Sequence, residues 1–255
     1  MTGGMVSLLR AAWTLMPQPV RWSGKATHTR SVEPARLEAH VRMLAETLVP
    51  RDAGHPDTLD RVAASTRQEF ERARGQVWDQ PCEGQGKTYR NVSARFGPDT
   101  QDRSVVGAHY AAAGEPPAAD DNASGVAGLI ELAHLLGTPS LPLRSELVAV
   151  TLEELPYCRT TQMGRAVHAA WLKQQGIPGR GRFSLEMSGY FTAAPPRQGF
   201  PASFLKAFYP WRGNFIALVS KLAQGRGGPA REESAAERLP AAGLCPHCSQ
   251  GPLGE

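Results

Sequence analysis

Residues 104–136 read SVVGAHYAAAGEPPAADDNASGVAGLIELAHLL, and this stretch decides the fold. Its first part, Ser104 to Tyr110, is a run of small and β-branched residues that predicts a buried strand with His109 at its end. A loop rich in Ala, Gly and Pro follows. The last part, Ser124 to Leu136, is apolar on nearly all sides and is followed by Gly137, so it predicts a buried helix. A buried strand, a loop and a buried helix in this order indicate an α/β architecture.

The flanking sequence continues the alternation of strands and helices. Because such alternation is typical of layered α/β folds, we predict an α/β domain with a mainly parallel sheet. The predicted helices lie between Pro34 and Pro50, between Pro56 and Gly75, and from Thr161 to Lys173; the predicted strands are Val77 to Trp78, Thr88 to Phe96, Glu146 to Leu152 and Arg182 to Met187.

Composition excludes several classes of protein. With 41% hydrophobic and 20% charged residues, the chain of 255 residues is not a disordered polypeptide and is long enough for one large domain. A net charge of +4 without a Lys/Arg stripe argues against a nucleic-acid partner, and the absence of long apolar runs argues against a membrane span. Four cysteines are too few for a disulfide scaffold. The N-terminal apolar stretch is interrupted by Arg10, so we expect a cytoplasmic protein.

The chain is predicted to have three parts. Residues 1–33 form a flexible leader, residues 34–222 form the α/β domain, and residues 223–255 form a disordered or atypical tail that is rich in Gly, Pro, Ala, Arg and Glu.

Side chains suited to metal binding lie at or near the ends of three predicted strands. His109 ends one strand, Glu153 and Glu154 follow the next, and Glu186 lies within the third. The acidic loop 120–122 precedes the buried helix. Because the carboxyl ends of parallel strands share one edge of a sheet, these residues are expected to converge there. One His with several carboxylates suits a divalent cation, with zinc as the leading choice, and a carboxylate left free can act as a base.

Each of these residues, taken singly, also has an ordinary structural explanation. A strand-end His109 can be a hydrogen-bonded core residue, and Asp121 or Asn122 can cap the following helix. Glu153 and Glu154 can form a solvated turn. Strand alternation places Glu186 on the face opposite its apolar neighbours, where exposure to solvent would explain it.

Three ordered strings resemble the zinc aminopeptidases of metallopeptidase family 28, a family that also contains glutaminyl cyclases and non-catalytic receptor domains. They are GAHYAAAGEPPAADDNASGVAGLIELAHLL at 107–136, LVAVTLEELPYCRTTQMGRAVHAAWL at 147–172 and FSLEMSGYF at 183–191. The resemblance covers roughly residues 36–222. It implies a zinc-exopeptidase-like, three-layer α/β/α sandwich with a mixed, mainly parallel sheet, incomplete at the C-terminus.

The resemblance also implies roles for individual residues. His109 and Glu186 correspond to ligands of a first zinc ion, Asp121 to a ligand that bridges two ions, and Glu154 to a ligand of the second. Glu153 corresponds to the general base that takes a proton from the metal-activated water. The implied activity is hydrolysis of N-terminal peptide bonds, with a peptide substrate, one or two zinc ions, and no prediction of oligomeric state.

Two positions depart from the family pattern. Ala111 stands where the family has an Asp that orients the ligand imidazole, and Asp120 or Glu115 are candidates to replace it. The family's late His ligand, in a Ser-Asp-His context, has no counterpart after Leu222, where only His247 occurs. The chain is therefore expected to be C-terminally truncated or frame-altered. These departures leave two alternatives open, a catalytically silent domain and a glutaminyl cyclase-like acyl chemistry at a single metal ion.

Overall fold

The computed structural model describes residues 32–138, 140–194, 212–213 and 216. These residues fall into two compact units. The larger unit, residues 32–190, contains every helix and strand described below. In the smaller unit, residues 191–194, 212–213 and 216, the amide of Thr192 donates to the carbonyl of Gly213 at 2.9 Å. The predicted tail 223–255 and nearly all of the predicted leader 1–33 lie outside the described residues, so those boundaries remain predictions.

From the third strand onward, strands and helices alternate as the sequence predicts, whereas two helices and two strands in succession precede it. Both N-terminal helices begin at a proline, whose fixed φ suits the first helical position. In chain order the elements are α1 (Pro34–Arg42) with a π-helical turn (Met43–Thr47), α2 (Pro56–Arg72), β1 (Gln76–Gly84), β2 (Lys87–Phe96), β3 (Arg103–His109), an irregular segment (Ala119–Ser124), α3 (Gly125–Leu136), β4 (Arg144–Val150), α4 (Gly164–Gln174) and β5 (Gly179–Ser184).

The five strands form one mixed sheet in the order β1-β2-β4-β3-β5. β3 pairs in parallel with both β4 and β5, whereas β1–β2 and β2–β4 are antiparallel. The mixed α/β architecture is thus confirmed, with parallel and antiparallel pairings equal in number among the described strands. The parallel half matters for function, because the carboxyl ends of β4, β3 and β5 lie side by side at one edge.

Helices cover both faces of the sheet, which confirms the three-layer arrangement. On β4, Leu147 and Ala149 point into the larger core, which includes apolar residues of α2 and α3. The alternate residues Val148 and Val150 point to the other face and pack with Leu172 of α4. This alternation follows from the two-residue period of a strand and explains why β4 is apolar on both faces.

A buried charged cluster lies on the α4 face of the sheet. Glu146 of β4 is fully buried and accepts a short hydrogen bond from Arg103 of β3. Nε2 of His168 on α4 lies 3.1 Å from the other carboxylate oxygen of Glu146. Burial opposes ionisation of Glu146, but the proximity and charge of His168 and Arg103 together lower its pKa below the ordinary value. The cluster therefore ties α4 to the two central parallel strands.

Two strand predictions need correction. β1 runs through Pro81, where the sequence predicts a break after Trp78. This is possible because β1 lies at the edge of the sheet, where a proline leaves no central hydrogen bond unmade. β5 ends at Ser184, so Glu186 lies two residues beyond the strand and not within it as predicted. Among the described residues, no helix is both long and apolar enough to cross a membrane.

Candidate metal centre

The imidazole of His109 stands at the centre of an acidic cluster. As the last residue of β3, His109 is buried at the edge where the parallel strands end. Its Nε2 atom lies 3.1 Å from Oδ1 of Asp121 and 3.1 Å from Oε2 of Glu186. The predicted convergence of these three residues is therefore present in the structure.

The other ring nitrogen of His109 has a main-chain partner. Nδ1 lies 2.8 Å from the carbonyl oxygen of Ala111. Since a carbonyl only accepts, Nδ1 carries a proton and Nε2 is left to face the two carboxylates. The sequence predicts that Ala111 removes the group that orients this ring. In the structure, the backbone carbonyl of the same residue supplies an acceptor for the ring in place of that side chain.

Electrostatics at Nε2 favour a positive charge. Burial by itself would lower the pKa of His109, but hydrogen bonds with Asp121 and Glu186 and the charge of Glu153 raise that pKa well above its ordinary value. Nε2 and two carboxylate oxygens gathered at such distances repel one another unless a cation, either a proton or a metal ion, lies among them.

Asp121 lies in the irregular segment Ala119–Ser124. Side chains of this segment also make hydrogen bonds to the stretch of chain that carries Glu186. Oδ1 of Asp120 accepts hydrogen bonds from the amides of Gly189 at 2.9 Å and Tyr190 at 3.0 Å. The sequence allows Asp120 to replace the missing side chain that would orient the His109 imidazole. In the structure, Oδ1 of Asp120 binds these two amides. It ties the segment after β5 to the loop before α3 instead.

Two further side chains of this segment reinforce the same connection. Asn122 donates to the carbonyl of Leu185 at 2.8 Å, and its Oδ1 accepts from the amide of Gly125 at 3.1 Å. Ser124 accepts from the amide of Ser188 at 3.0 Å through its hydroxyl oxygen. Asn122 thus binds the amide of the first residue of α3 and contacts the Glu186 segment as well.

Glu186 reaches the cluster from beyond β5. The amide of Leu185 donates to the carbonyl of Gly107 at 2.8 Å, which extends the β3–β5 pairing by one residue and brings Glu186 beside His109. Oε1 of Glu186 accepts from the hydroxyl of Ser184 at 2.9 Å, and Oε2 faces the imidazole. The side chain is 37% exposed, so it borders the opening of the cluster.

Glu153 and Glu154 lie in the turn that follows β4, and both are buried. Oε1 of Glu154 lies 4.0 Å from Nδ1 of His109. One ligand atom each of His109, Asp121 and Glu154 lie within 4.8 Å of one another, a spacing that a single metal ion can bridge. The alternative of a solvated turn does not hold for these two residues, because both are buried.

Glu153 has one engaged and one free carboxylate oxygen. Oε1 lies 2.8 Å from Nε of Arg165, whereas Oε2 is buried and has no hydrogen-bond partner among the described residues. Burial raises the pKa of Glu153 to about 7, although the charges of Arg165 and His109 act in the opposite direction. A carboxylate with such a pKa and a free oxygen is suited to act as a general base.

The turn that carries Glu153 is fixed to α4 by a close backbone contact. The amide of Gly164 donates to the carbonyl of Thr151 at 2.9 Å. Asn91 of β2 bridges the same two residues, since its Oδ1 accepts from the amide of Thr151 at 3.0 Å and its Nδ2 donates to the carbonyl of Gly164 at 2.8 Å. Residues of two separate elements, β2 and α4, therefore position the turn.

A buried arginine holds the loop between His109 and Asp121. The guanidinium of Arg51 donates to the carbonyls of Tyr110 at 3.1 Å, Pro117 at 2.8 Å and Ala118 at 3.0 Å. Burial lowers the pKa of Arg51 to about 10, while the nearby charge of Asp121 partly opposes this effect. Sequence reasoning missed Arg51, Asn91 and Arg165, because nothing in the local pattern marks residues whose partners lie so far along the chain.

The donor set fits a divalent metal ion. It comprises one imidazole nitrogen and the carboxylates of Asp121, Glu154 and Glu186, which are borderline-to-hard ligands. Adjacent parallel strands thus deliver such ligands to one edge of the sheet, beside a buried free carboxylate, an arrangement that can hold a metal ion next to a base.

Comparison with known proteins links part of this sequence to a peptidase family. The sequence profile of Peptidase family M28 matches residues 91–190, a range that includes His109, Asp121, Glu153, Glu154 and Glu186. This part of the chain is therefore similar to peptidase family M28. A relative, the uncharacterized protein YfbL of Escherichia coli, is 39% identical over 201 residues, which cover 76% of this chain and 61% of that protein. The chain therefore spans about three fifths of the length of this relative.

Several solved structures share the fold. LapB from Legionella pneumophila superposes with a TM-score of 0.56 at 20% identity, over 72% of this chain and 53% of that one. The glutaminyl cyclase of Fimbriiglobus ruber gives a TM-score of 0.55 at 20% identity, over 73% and 71% of the two chains. A leucine aminopeptidase precursor from Bacteroides thetaiotaomicron gives 0.51 at 18% identity, over 67% of each chain. At these identities the likeness concerns the fold.

Proposed function

We propose that this chain is a zinc-dependent aminopeptidase that hydrolyses N-terminal peptide bonds. The match of residues 91–190 to peptidase family M28 supports a peptidase-like function. The observation that carries the proposal is the approach of Nε2 of His109 to carboxylate oxygens of Asp121 and Glu186, with the free carboxylate oxygen of Glu153 in the adjoining turn.

We assign the zinc ligands to His109, Asp121, Glu154 and Glu186. Zinc held by these residues would act as a Lewis acid toward the scissile carbonyl and would acidify a water molecule. The carbonyl of Ala111 holds the imidazole in the tautomer that presents Nε2, and Asp120 holds the segment that carries Glu186. The chain thus prepares the ligand geometry before any substrate arrives.

Glu153 is the proposed general base. Its Oε2 atom accepts the proton of the attacking water and then delivers that proton to the departing amine, so the same atom serves as base and acid. A pKa of about 7 allows both roles near neutral pH, because the protonated and ionised forms are both accessible. Burial of the turn excludes competing solvent from this oxygen.

Zinc content and aminoacyl-anilide hydrolysis, each measured with and without a chelator, test the proposal. We expect one or two zinc ions per chain and turnover that the chelator abolishes. Glu153→Gln should retain zinc and lose turnover by roughly 10²–10⁴-fold, whereas Glu38→Gln, on the exposed face of α1, should change neither. Loss of zinc from Glu153→Gln would make Glu153 a ligand and contradict its assigned role.

The two alternatives from the sequence predict different results. A catalytically silent domain would fold and show no turnover of peptide-like substrates, even when loaded with zinc. A glutaminyl cyclase-like enzyme would cyclise an N-terminal glutamine with the release of ammonia and leave the anilide intact. Either result would replace the aminopeptidase proposal.

A further inference from the structure

The guanidinium of Arg165 makes a direct contact with the proposed base. Nε of Arg165 lies 2.8 Å from Oε1 of Glu153. The Glu153 side chain is 7% exposed, whereas that of Arg165 is 42% exposed, so the arginine approaches the buried carboxylate from the solvent side. No other hydrogen bond or ion pair of the Glu153 side chain occurs within the described part of the chain.

The backbone that carries Arg165 is fixed relative to the Glu153 turn. Arg165 follows Gly164, whose amide and carbonyl are held by Thr151 and Asn91. A Cβ atom at position 164 would lie 2.5 Å from the Thr151 carbonyl oxygen and 2.3 Å from Oδ1 of Asn91, so the two segments touch along their main chains. The Arg165–Glu153 contact therefore belongs to a rigid junction of β2, the turn after β4 and α4.

The contact distinguishes the two carboxylate oxygens of Glu153. A carboxylate rotates about a broad terminal torsion and has two equivalent acceptors when nothing holds it. The ion pair of Arg165 with Oε1 removes this equivalence and leaves Oε2 as the free acceptor. We propose that Arg165 is a positioning residue that holds the Glu153 carboxylate with Oε2 directed to the water, an inference that rests on the proposed function.

A merely structural ion pair would have different consequences. Half-exposed ion pairs contribute little to stability, so a purely structural role predicts only small changes in kcat, KM, zinc content and stability. A positioning role predicts a selective loss in the chemical step, because a misdirected base impairs proton transfer without weakening substrate or zinc binding. The separation of kcat from KM and from zinc content is therefore the informative readout.

The experiment compares Arg165→Ala and Arg165→Lys with Lys173→Ala, which removes an exposed cation from the same helix. Arg165→Ala is expected to lower kcat by about 10–100-fold, with KM within about twofold and zinc content unchanged. Arg165→Lys should recover part of the loss, and added guanidinium ion, but not sodium ion, should partly rescue Arg165→Ala. Lys173→Ala should behave as wild type. An unchanged kcat in Arg165→Ala, or an equal loss in Lys173→Ala, overturns the inference.

A double-mutant cycle on kcat tests whether Arg165 acts through Glu153. Combined with Glu153→Gln, Arg165→Ala should cause no further loss of kcat, since each single change removes the same interaction. A further loss as large as that of Arg165→Ala alone would overturn the inference. If zinc-loaded wild type shows no hydrolysis, the proposed function fails and the inference fails with it. An active wild type with an unaffected Arg165→Ala refutes the inference alone.

Discussion

Nδ1 of His109 lies 2.8 Å from the main-chain carbonyl oxygen of Ala111, two residues further along the chain. A hydrogen bond to the backbone orients the imidazole without any contribution from the side chain at position 111. The departure from the family pattern at this position is therefore compatible with a functional ligand, because an imidazole ligand needs an acceptor on its second nitrogen and not a particular residue type.

This relationship predicts that zinc binding tolerates small changes at position 111. Ala111→Gly keeps the carbonyl and is expected to bind zinc within about twofold of wild type, whereas His109→Ala removes a ligand and should abolish binding. Zinc affinity by competition with a chromogenic chelator provides the measurement. A tenfold or larger loss in Ala111→Gly would show that the side chain, and not the carbonyl, is required.

Asp120 is predicted to influence zinc affinity without binding the metal. Its Oδ1 atom holds the amides of Gly189 and Tyr190, and so fixes the segment that carries Glu186. Asp120→Ala should weaken zinc binding by about 10–100-fold, as expected for a residue that supports a ligand. Asp120→Asn retains an acceptor oxygen and should lose less, and Asp57→Asn on α2 is the control. Equal losses in Asp120→Ala and Asp57→Asn would refute this role.

Two glycine substitutions should have opposite effects. A Cβ at Gly164 would lie 2.3 Å from Oδ1 of Asn91 and 2.5 Å from the Thr151 carbonyl oxygen, so Gly164→Ala forces main-chain shifts that should cost about 1–3 kcal/mol. At Gly128 the nearest atom would lie at 3.8 Å, within helix α3, so Gly128→Ala should stabilise by about 0.5–1 kcal/mol. Chemical denaturation measures both changes in the free energy of unfolding. A stable Gly164→Ala variant would show that this junction is not tightly packed.

The buried carboxylate of Glu146 should make stability depend on acid pH. Its folded-state pKa lies below the ordinary value of 4.5, so its contribution is present above that value and is lost as pH falls through the folded pKa. Glu146→Gln breaks the pairing with Arg103 and His168 and should lower the free energy of unfolding by about 3 kcal/mol near neutral pH. Denaturation at several pH values should also show a weaker acid dependence in the variant. Identical pH dependence in both proteins would assign the acid sensitivity to other groups.

Sequence reasoning succeeded where a local pattern carries the information. The approach of His109 to Asp121 and Glu186 follows from strand order, because adjacent parallel strands must deliver their ends to one edge. The position of Glu186 was predicted less well. The alternation of side chains predicts a strand that continues to Met187, whereas β5 ends at Ser184 and only the amide of Leu185 makes a further backbone hydrogen bond to β3.

Other features depend on contacts that no local pattern reveals. Arg51 and Asn91 hold main-chain groups that lie 59 or more residues away in the sequence. Arg165 is an ordinary helical arginine by its sequence context, and its contact with Glu153 arises only when α4 packs against the turn after β4. The Ala111 carbonyl was missed for a different reason, since every residue has one and side-chain motifs cannot mark it.

Anomalous diffraction at the zinc edge from crystals of the zinc-loaded protein addresses the metal centre most directly. We predict an anomalous peak that marks a zinc ion coordinated by Nε2 of His109 and by carboxylate oxygens of Asp121 and Glu186, at about 2.0–2.2 Å from each ligand atom. A second peak shared by Asp121 and Glu154 would indicate two ions. Zinc bound elsewhere, or a zinc-saturated crystal with no peak beside His109, would contradict the assignment of this cluster as the metal centre.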